Sequence, residues 1–419
     1  MALFVRNSAF SRVTALAAQR PVHAAFAWLH GNPKTIMDWQ TDLVRIPGPP
    51  FGEEPRSLWL AARFAEIGLA DIKTDAVGNV FGVLPAAGLP PESSGPVVVL
   101  SAHLDTVFPA QTPLLPKLDG DRLEAPGACD NGAGVVGMLA VAKALKESGI
   151  VLPAPLVFLG NVGEEGEGDL RGVRHLYAEN ALAGRIAAHI VLDGAGADSA
   201  VTQALGSRRF QVTINGPGGH SFTDAGTPNP IAALASALAV LAQMELPDEP
   251  RSTLNLGTIH GGTSVNSIPE SATAAVDFRS TSAEQLANME TALEFAVSDA
   301  VAYWNDMAKP GRIRDRGLLR ATIEKIGDRP AGSLPDDSAL LETLKAVDRH
   351  LGLGTELLLG STDANIPLSL NVPALSLGAG GAGGGAHTVA EWYSGKNREA
   401  GLRRILLLCL AMGEWAAEQ

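Results

Sequence analysis

Apolar positions along the chain follow two rhythms, and the change between them divides the sequence. PVVVLSAHLD (96–105), APLVFLGNV (154–162) and AAHIVLDG (187–194) are apolar almost throughout and close on polar residues, as strands buried on both faces do. Between the first two lies GAGVVGMLAVAKALKESG (132–149), which predicts a helix beginning after Asp130-Asn131 and ending in Lys, Ser and Gly. RGVRHLYAENAL (171–182) predicts another. Strand, helix, strand, helix, strand implies an α/β domain with a largely parallel central sheet, whose ligands bind beyond the carboxyl ends of the strands. Upstream, residues 34–70 are helical in pattern around the breaker RIPGPPFGE, and TDAVGNVFGVL (74–84) reads as a strand with a turn at Gly78-Asn79.

Near Gly206 the period drops to two. RRFQVTING, STLNLGTIHGG, ESATAAVDFRS and LRATIEKIG read as strands, while PNPIAALASALAVLAQMEL and SAEQLANMETALEFAVSDAVAYW predict helices. The resulting β-α-β-β-α-β order is that of a ferredoxin-like α+β domain. It occupies residues 206–330 and is inserted into the first domain, which comprises 1–205 and 331–419. The last stretch returns to α/β texture, with helices over 336–352 and 397–419 and strand-to-loop segments in TELLLGSTDAN and VPALSLGAG.

A chain of 419 residues with 46% hydrophobic and 18% charged residues is globular and has a large core. Its net charge of −13 argues against nucleic acid and anionic membranes as partners. Cys129 and Cys409 are too few for a disulfide framework and point to a reducing, cytoplasmic setting. Cys129, beside Asp130, reads as a buried thiol rather than a ligand. The first acidic residue is Asp38, and the basic, alanine-rich start resembles a transit peptide in composition. Arg6, Arg12 and Arg20 interrupt its apolar positions, so an N-terminal amphipathic helix is expected instead. The longest apolar helical run, IAALASALAVLAQM, is too short to span a bilayer.

The chemistry lies in isolated acidic and histidine residues at the ends of the apolar runs. They are His103 and Asp105 in SAHLDT, Asp130 in GACDNGAG, Glu164 and Glu165 in GEEGEGD, Asp193 in VLDG, and His387 in GGGAH. Converging carboxylates need a cation, and imidazole with carboxylate suits zinc or a similar divalent ion. His103 and Asp105 share one face of a strand, so that one can bind metal while the other orients it. Asp130 equally suits a helix N-cap, and Asp193 a strand-end turn. Adjacent Glu164 and Glu165 repel each other unless a cation or proton compensates, which suggests one ligand and one general base; a solvated loop is the alternative. The glycine tract before His387 lacks the Gly-Lys-Ser/Thr of a phosphate loop and lets the backbone approach a ligand closely. Two divalent ions among five such carboxylates would bring the charge of −13 to roughly −9.

HLDT, GACDNGAG, GEEGEGD, VLDG and GGGAH, in this order and with a ferredoxin-like insert between the fourth and fifth, resemble the M20 family of metallopeptidases over nearly the whole chain. HLDTVFP and GEEGEGDLRGV look closest to its tripeptidase T-like branch. The resemblance implies a zinc-peptidase-like catalytic domain and an inserted lid or dimerisation domain. It implies two Zn2+ ions, with Co2+ or Mn2+ as alternatives. His103 and Asp193 would bind one, Glu165 and His387 the other, and Asp130 would bridge them, with a cis peptide bond to Asn131. Asp105 would orient His103, and Glu164 would be the general base. In the insert, His220 of GPGGHSF would stabilise the oxyanion, in several relatives from the partner subunit. Asn266 of GGTSVNSIP and Arg279 of VDFRS would bind substrate, although Arg279 also suits an ion pair with Asp277. STDAN (361–365) would line the pocket.

The activity so implied is amide hydrolysis in short peptides, of tripeptidase-like aminopeptidase type. An N-acyl amino-acid deacylase or carboxypeptidase of the same family is the alternative. A non-catalytic binding protein on the same fold is the rival of another class, and the intact ligand set and Glu164 argue against it. The implied partners are a short peptide or N-acyl amino-acid substrate and a second copy of the chain bound through the insert.

Overall fold

The structure, a computed structural model, describes residues 8–88, 94–308 and 317–419. It divides into two compact units, Met1–Ala204 with Ser333–Gln419, and Leu205–Gly332.

The first unit is built on a nine-stranded sheet. Its strands are β1 (Ala70–Thr74), β2 (Val80–Leu84), β3 (Val97–His103), β6 (Leu156–Asn161), β7 (Ile186–Leu192), β8 (Ser199–Ala204), β15 (Gly332–Ser333), β16 (Glu356–Gly360) and β17 (Ala374–Leu377). They run in the order β1-β2-β6-β3-β7-β17-β8-β15, with β16 beside β8. The centre, β6-β3-β7-β17, is parallel, and β1 and β2 are antiparallel additions. Every residue of β3 and β6 is buried, so both faces of the sheet must be covered.

On one face lie α4 (Glu54–Ile67), α5 (Gly132–Ser148), α9 (Ala339–Leu351) and α11 (Arg398–Ala417), joined through Leu60, Phe64, Leu100, Val136, Phe158 and Leu407 in a single core. On the other lies α6 (Arg171–Glu179), whose Leu176 packs against Val97, Val99, Val157 and Leu159. Each such fully buried Leu, Val or Phe stabilises the fold by about 1.5–3 kcal/mol. A short helix, α10 (Asn365–Ser369), follows β16.

Some local structure differs from expectation. The start of the chain forms two helices, α1 (Ala9–Ala17) and α2 (Arg20–Gly31), rather than one, and α3 (Pro33–Leu43) opens the stretch expected to be helical from residue 34. Prolines in the first turns of α2 and α3 mark two of the starts, where a missing N–H costs nothing. Residues 1–7, which include Arg6 of the transit-peptide comparison, lie outside the described residues. The strand expected from residue 74 begins at Val80. Asp75 Oδ1 accepts the backbone N–H groups of Val77, Gly78 and Asn79 and turns the chain first.

A small sheet was not foreseen. Its strands β4 (Lys117–Asp119), β5 (Arg122–Glu124), β18 (Ala382–Gly384) and β19 (Trp392–Ser394) stand in the order β18-β19-β5-β4. Three-residue strands are too short to display a period.

The second unit holds an antiparallel sheet of β9 (Gly206–Asn215), β11 (Ser252–Gly261), β13 (Ser271–Ser280) and β14 (Arg320–Arg329), in the order β11-β13-β9-β14. A two-stranded pair, β10 (Gly219–His220) and β12 (Ser267–Ile268), stands beside it. Ala272, Ala274, Val276 and Phe278 alternate inward along β13 and share a core with α7 (Pro230–Ala242) and α8 (Ala283–Asp306), through Leu234, Leu238, Met289 and Leu293. The element order is β-α-β-β-α-β, so the fold is α/β with a ferredoxin-like α+β insert. Among the described residues no helix is long and apolar enough to cross a membrane.

Candidate metal centre

The carboxyl ends of the parallel strands supply the site. His103 is the last residue of β3, and β3 pairs with β6 up to His103 and Asn161. Glu164 and Glu165 follow β6, Asp193 follows β7, and Asp130 immediately precedes Asn131, the N-cap of α5. His387 lies between β18 and β19.

These segments are cross-tied by side chains. Asn131 Oδ1 accepts from Gly134 and Gly194, and its Nδ2 donates to Leu192 O at 2.8 Å, fixing the start of α5 to the end of β7. Asn79 Oδ1 accepts from Val162 N and its Nδ2 donates to Gly172 O, which pins the loop carrying both glutamates at each end. Asp105 accepts the backbone N–H groups of Glu164 and Glu165 at 3.0 and 2.8 Å.

The structure brings the expected ligands together in two triads. His103, Asp130 and Asp193 form one, Asp130, Glu165 and His387 the other, each with candidate ligand atoms within 4.8 Å of one another. Asp130 is common to both: Oδ1 lies 3.1 Å from His103 Nε2, and Oδ2 lies 3.0 Å from His387 Nε2. Glu165 Oε1 is 3.1 Å from His387 Nε2, and Asp193 Oδ1 is 3.8 Å from His103 Nε2. Glu164, also buried, forms a third cluster with His103 and Glu165. His103 Nδ1 meets the carbonyl oxygen of Asp105 at 3.1 Å and its Oδ1 at 3.6 Å, so the closer contact of the ring is with the main chain of Asp105. The Asp130–Asn131 peptide bond is cis.

Charge balance explains what these groups can hold. Burial opposes a charge on His103, but Asp105, Asp130 and Asp193 around it raise its pKa well above the ordinary value. His387, bonded to Asp130, is raised to about 9. Burial would raise Asp130, yet His103 and His387 together hold it well below the carboxylate range. Glu165 is pushed up to about 7, chiefly by burial. The crowded carboxylates thus favour positive charge at this point, which a divalent cation would supply. Asp130 Oδ1 is buried and makes no hydrogen bond, an acceptor left for such an ion. The oxygen and nitrogen donor set fits two divalent metal ions.

The glycine tract before His387 is required by packing. A Cβ at Gly381, whose φ is +72°, would sit 2.2 Å from Tyr393 Oη, and one at Gly383 would lie 2.3 Å from Cys129 Sγ. Cys129 is accordingly a packed thiol, pushed up to about 12 by burial, and Cys409 is also buried and free.

The second unit places the other expected residues in two separate regions. His220 and Asn266 are neighbours, since Ser221 N donates to Asn266 O at 3.0 Å. His220 Nδ1 accepts from Phe222 N at 3.2 Å, which leaves the proton of a neutral ring on Nε2. Asn266 Oδ1 accepts from Ser264 Oγ. Arg279 Nε donates to Asp277 at 2.8 Å, the ion pair its sequence neighbourhood also suggested. It stands on β13 eight residues from Ser271, roughly 26 Å along the strand and away from the His220 corner.

Two buried residues, Glu391 and Arg56, were not singled out from the sequence, and a third, Asp363, was expected only as part of STDAN. Glu391 is fully buried beside Asp130, Arg56 is 1% exposed, and Asp363 is fully buried with Asn161 Nδ2 donating to it at 2.6 Å. Burial pushes Asp363 up to about 7. The signal available was a lone charge in a small or apolar setting, as in AEWYS for Glu391. Within STDAN, Asp363 and Asn365 are both fully buried.

Several known proteins resemble this chain. A probable carboxypeptidase from Ajellomyces dermatitidis is 31% identical over 232 residues, covering 50% of this chain and 50% of that one. The chain thus spans about half the length of the curated relatives it matches. Among solved structures, the aminopeptidase PepT of Bacillus cereus superposes with a TM-score of 0.71 at 19% identity, covering 91% of this chain and 99% of that one. A tripeptidase from Staphylococcus aureus gives 0.69 at 23% identity, covering 93% and 99%. These likenesses carry the fold. The profile of Peptidase family M20/M25/M40 matches residues 99–411, and the chain belongs to that family of metallopeptidases.

Proposed function

We propose that the chain hydrolyses amide bonds of short peptides as a tripeptidase-like aminopeptidase, with two zinc ions. His103 and Asp193 would hold one ion, Glu165 and His387 the other, and Asp130 both. The observation that carries this reading is Asp130 lying within 3.1 Å of both histidines. When bound, the ions supply Lewis acidity at the scissile carbonyl and acidify the attacking water.

The remaining steps belong to side chains. Glu164, buried beside His103 and Glu165, takes the proton of the attacking water and returns it to the leaving amine. Asp105 holds the loop of that base through two backbone N–H groups. His220 donates from Nε2 to the oxyanion of the tetrahedral intermediate. Asn266 and Arg279 bind substrate, Arg279 by a bidentate grip on a carboxylate.

One substrate of a few residues cannot reach across roughly 26 Å, so the His220–Asn266 corner and Arg279 would serve a single peptide only from two copies of the chain. The edge strand β11, with Leu256 and Ile259 exposed, offers a surface for that homodimer. Sedimentation of the active protein tests it, and a fully active monomer would exclude His220 acting from a partner. Two buried free cysteines favour a cytoplasmic setting.

A second reading, a carboxypeptidase or N-acyl amino-acid deacylase, is favoured by the description of the fungal relative. Comparing a tripeptide with its N-acetylated twin separates the two. Cleavage of the free peptide alone supports the aminopeptidase, and preference for the acetylated peptide supports the second reading.

A further inference from the structure

The buried carboxylate of Glu391 has no place in the scheme above, although it is fully buried and touches the main chain of Asp130. Its Oε1 accepts the N–H groups of Cys129 and Asp130, each at 2.7 Å, and its Oε2 accepts that of Gly127 at 2.8 Å. Three converging main-chain donors make an anion nest of the turn that presents Asp130. The turn depends on Gly127, whose φ is +74° and whose Cβ would meet Thr106 Cγ2 at 2.8 Å.

The main chain of Glu391 is tied in the opposite direction. Its N–H donates to Thr388 O in the His387 loop at 3.1 Å, and its carbonyl accepts from Ala125 N at 3.0 Å. The next residue, Trp392, pairs with Glu124 in the β19–β5 ladder. One residue therefore clasps the Asp130 turn by its side chain and the His387 loop by its backbone.

A buried carboxylate needs a counter-charge. Arg56, 1% exposed, donates to Ile46 O and to Leu104 O, the carbonyl between His103 and Asp105, and attracts both Asp105 and Glu391. Asp105 and Glu391 thus share the attraction of one buried guanidinium, and each holds main-chain N–H groups of a different site loop.

We propose that Glu391 is a positioning residue that sets the spacing of Asp130 from His387, and with it the geometry of the metal pair. This rests on the ligand assignment made under the proposed function. Outer-sphere groups of this kind commonly change metal affinity by about 10- to 100-fold.

The test is Glu391→Gln, which keeps the shape and removes the charge. The cobalt-loaded variant is expected to show an altered visible absorption spectrum and at least about tenfold weaker affinity for the ion that His387 binds. Its kcat is expected to fall with little change in KM, while its circular dichroism stays that of the parent. Wild-type affinity for two ions, with an unchanged cobalt spectrum, overturns the inference alone. A parent protein that binds no divalent ion overturns the ligand assignment instead. Should the variant not fold, amide exchange in the unmodified protein decides: the N–H groups of Gly127, Cys129 and Asp130 are expected to exchange as slowly as those of β3, and rapid exchange at all three contradicts the clasp.

Discussion

His387 Nε2 and Asp130 Oδ2 lie 3.0 Å apart although 257 positions separate them in the chain. The other oxygen of Asp130 is 3.1 Å from His103 Nε2, so a single carboxylate spans two imidazoles. Asp130→Ala removes the group common to both triads. Metal content after dialysis is expected to fall from two ions to fewer than one per chain, with peptide hydrolysis down at least about a hundredfold. Retention of two ions would show that Asp130 is not their bridge.

Glu164 separates catalysis from metal binding. Glu164→Gln is expected to reduce kcat by about 10^2- to 10^4-fold, the usual worth of a general base, with metal content near normal. Near-normal turnover in that variant removes Glu164 from the mechanism.

Arg279 tests substrate recognition at a distance from the metal ligands. Its ion pair with Asp277 is partly exposed and contributes little to stability. Arg279→Ala is therefore expected to leave the melting temperature nearly unchanged and to raise KM by about tenfold for peptides ending in a free carboxylate, with a smaller effect on their amides. Equal effects on both substrates would assign Arg279 to the surface ion pair alone.

His189 makes the fold sensitive to acid. It is fully buried on β7, bonded to Tyr177 Oη at 3.0 Å and Ser101 Oγ at 2.8 Å, and desolvation lowers its pKa to about 3. An unfolded histidine titrates near 6.5, so between these values the unfolded chain binds the extra proton. This contribution is fully present above about pH 6.5 and is lost as pH falls toward 3, at up to about 1.4 kcal/mol per pH unit. The neutral His189→Asn variant is expected to be less stable at pH 7 but to lose less stability on acidification to pH 5. Parallel pH profiles for the two proteins would contradict the assignment.

The ligands were legible because each stands alone at the end of an apolar run, and the strand period and parallel topology bring run ends together. The ferredoxin-like insert was legible because Ala272, Ala274, Val276 and Phe278 keep a strict period of two. Glu391 and Arg56 were not, since a lone charge in a small or apolar setting, as in AEWYS, does not by itself tell a buried charge from a solvated one. Their roles arise from partners far along the chain: Glu391 bonds Asp130 across 261 positions, and Arg56 bonds Leu104 across 48. The β18-β19-β5-β4 sheet escaped because its four three-residue strands carry no rhythm of their own. The separation of Arg279 from Asn266 needed the register of β13, which spacing in sequence does not reveal.

The most direct test of the account is reconstitution. Protein stripped with a chelator is titrated with zinc while hydrolysis of an unblocked tripeptide is followed. The account predicts no cleavage without metal, a rise with added zinc, and a plateau at two ions per chain. Cleavage that is indifferent to the chelator, or no cleavage at any zinc level in protein that binds two ions, would contradict it.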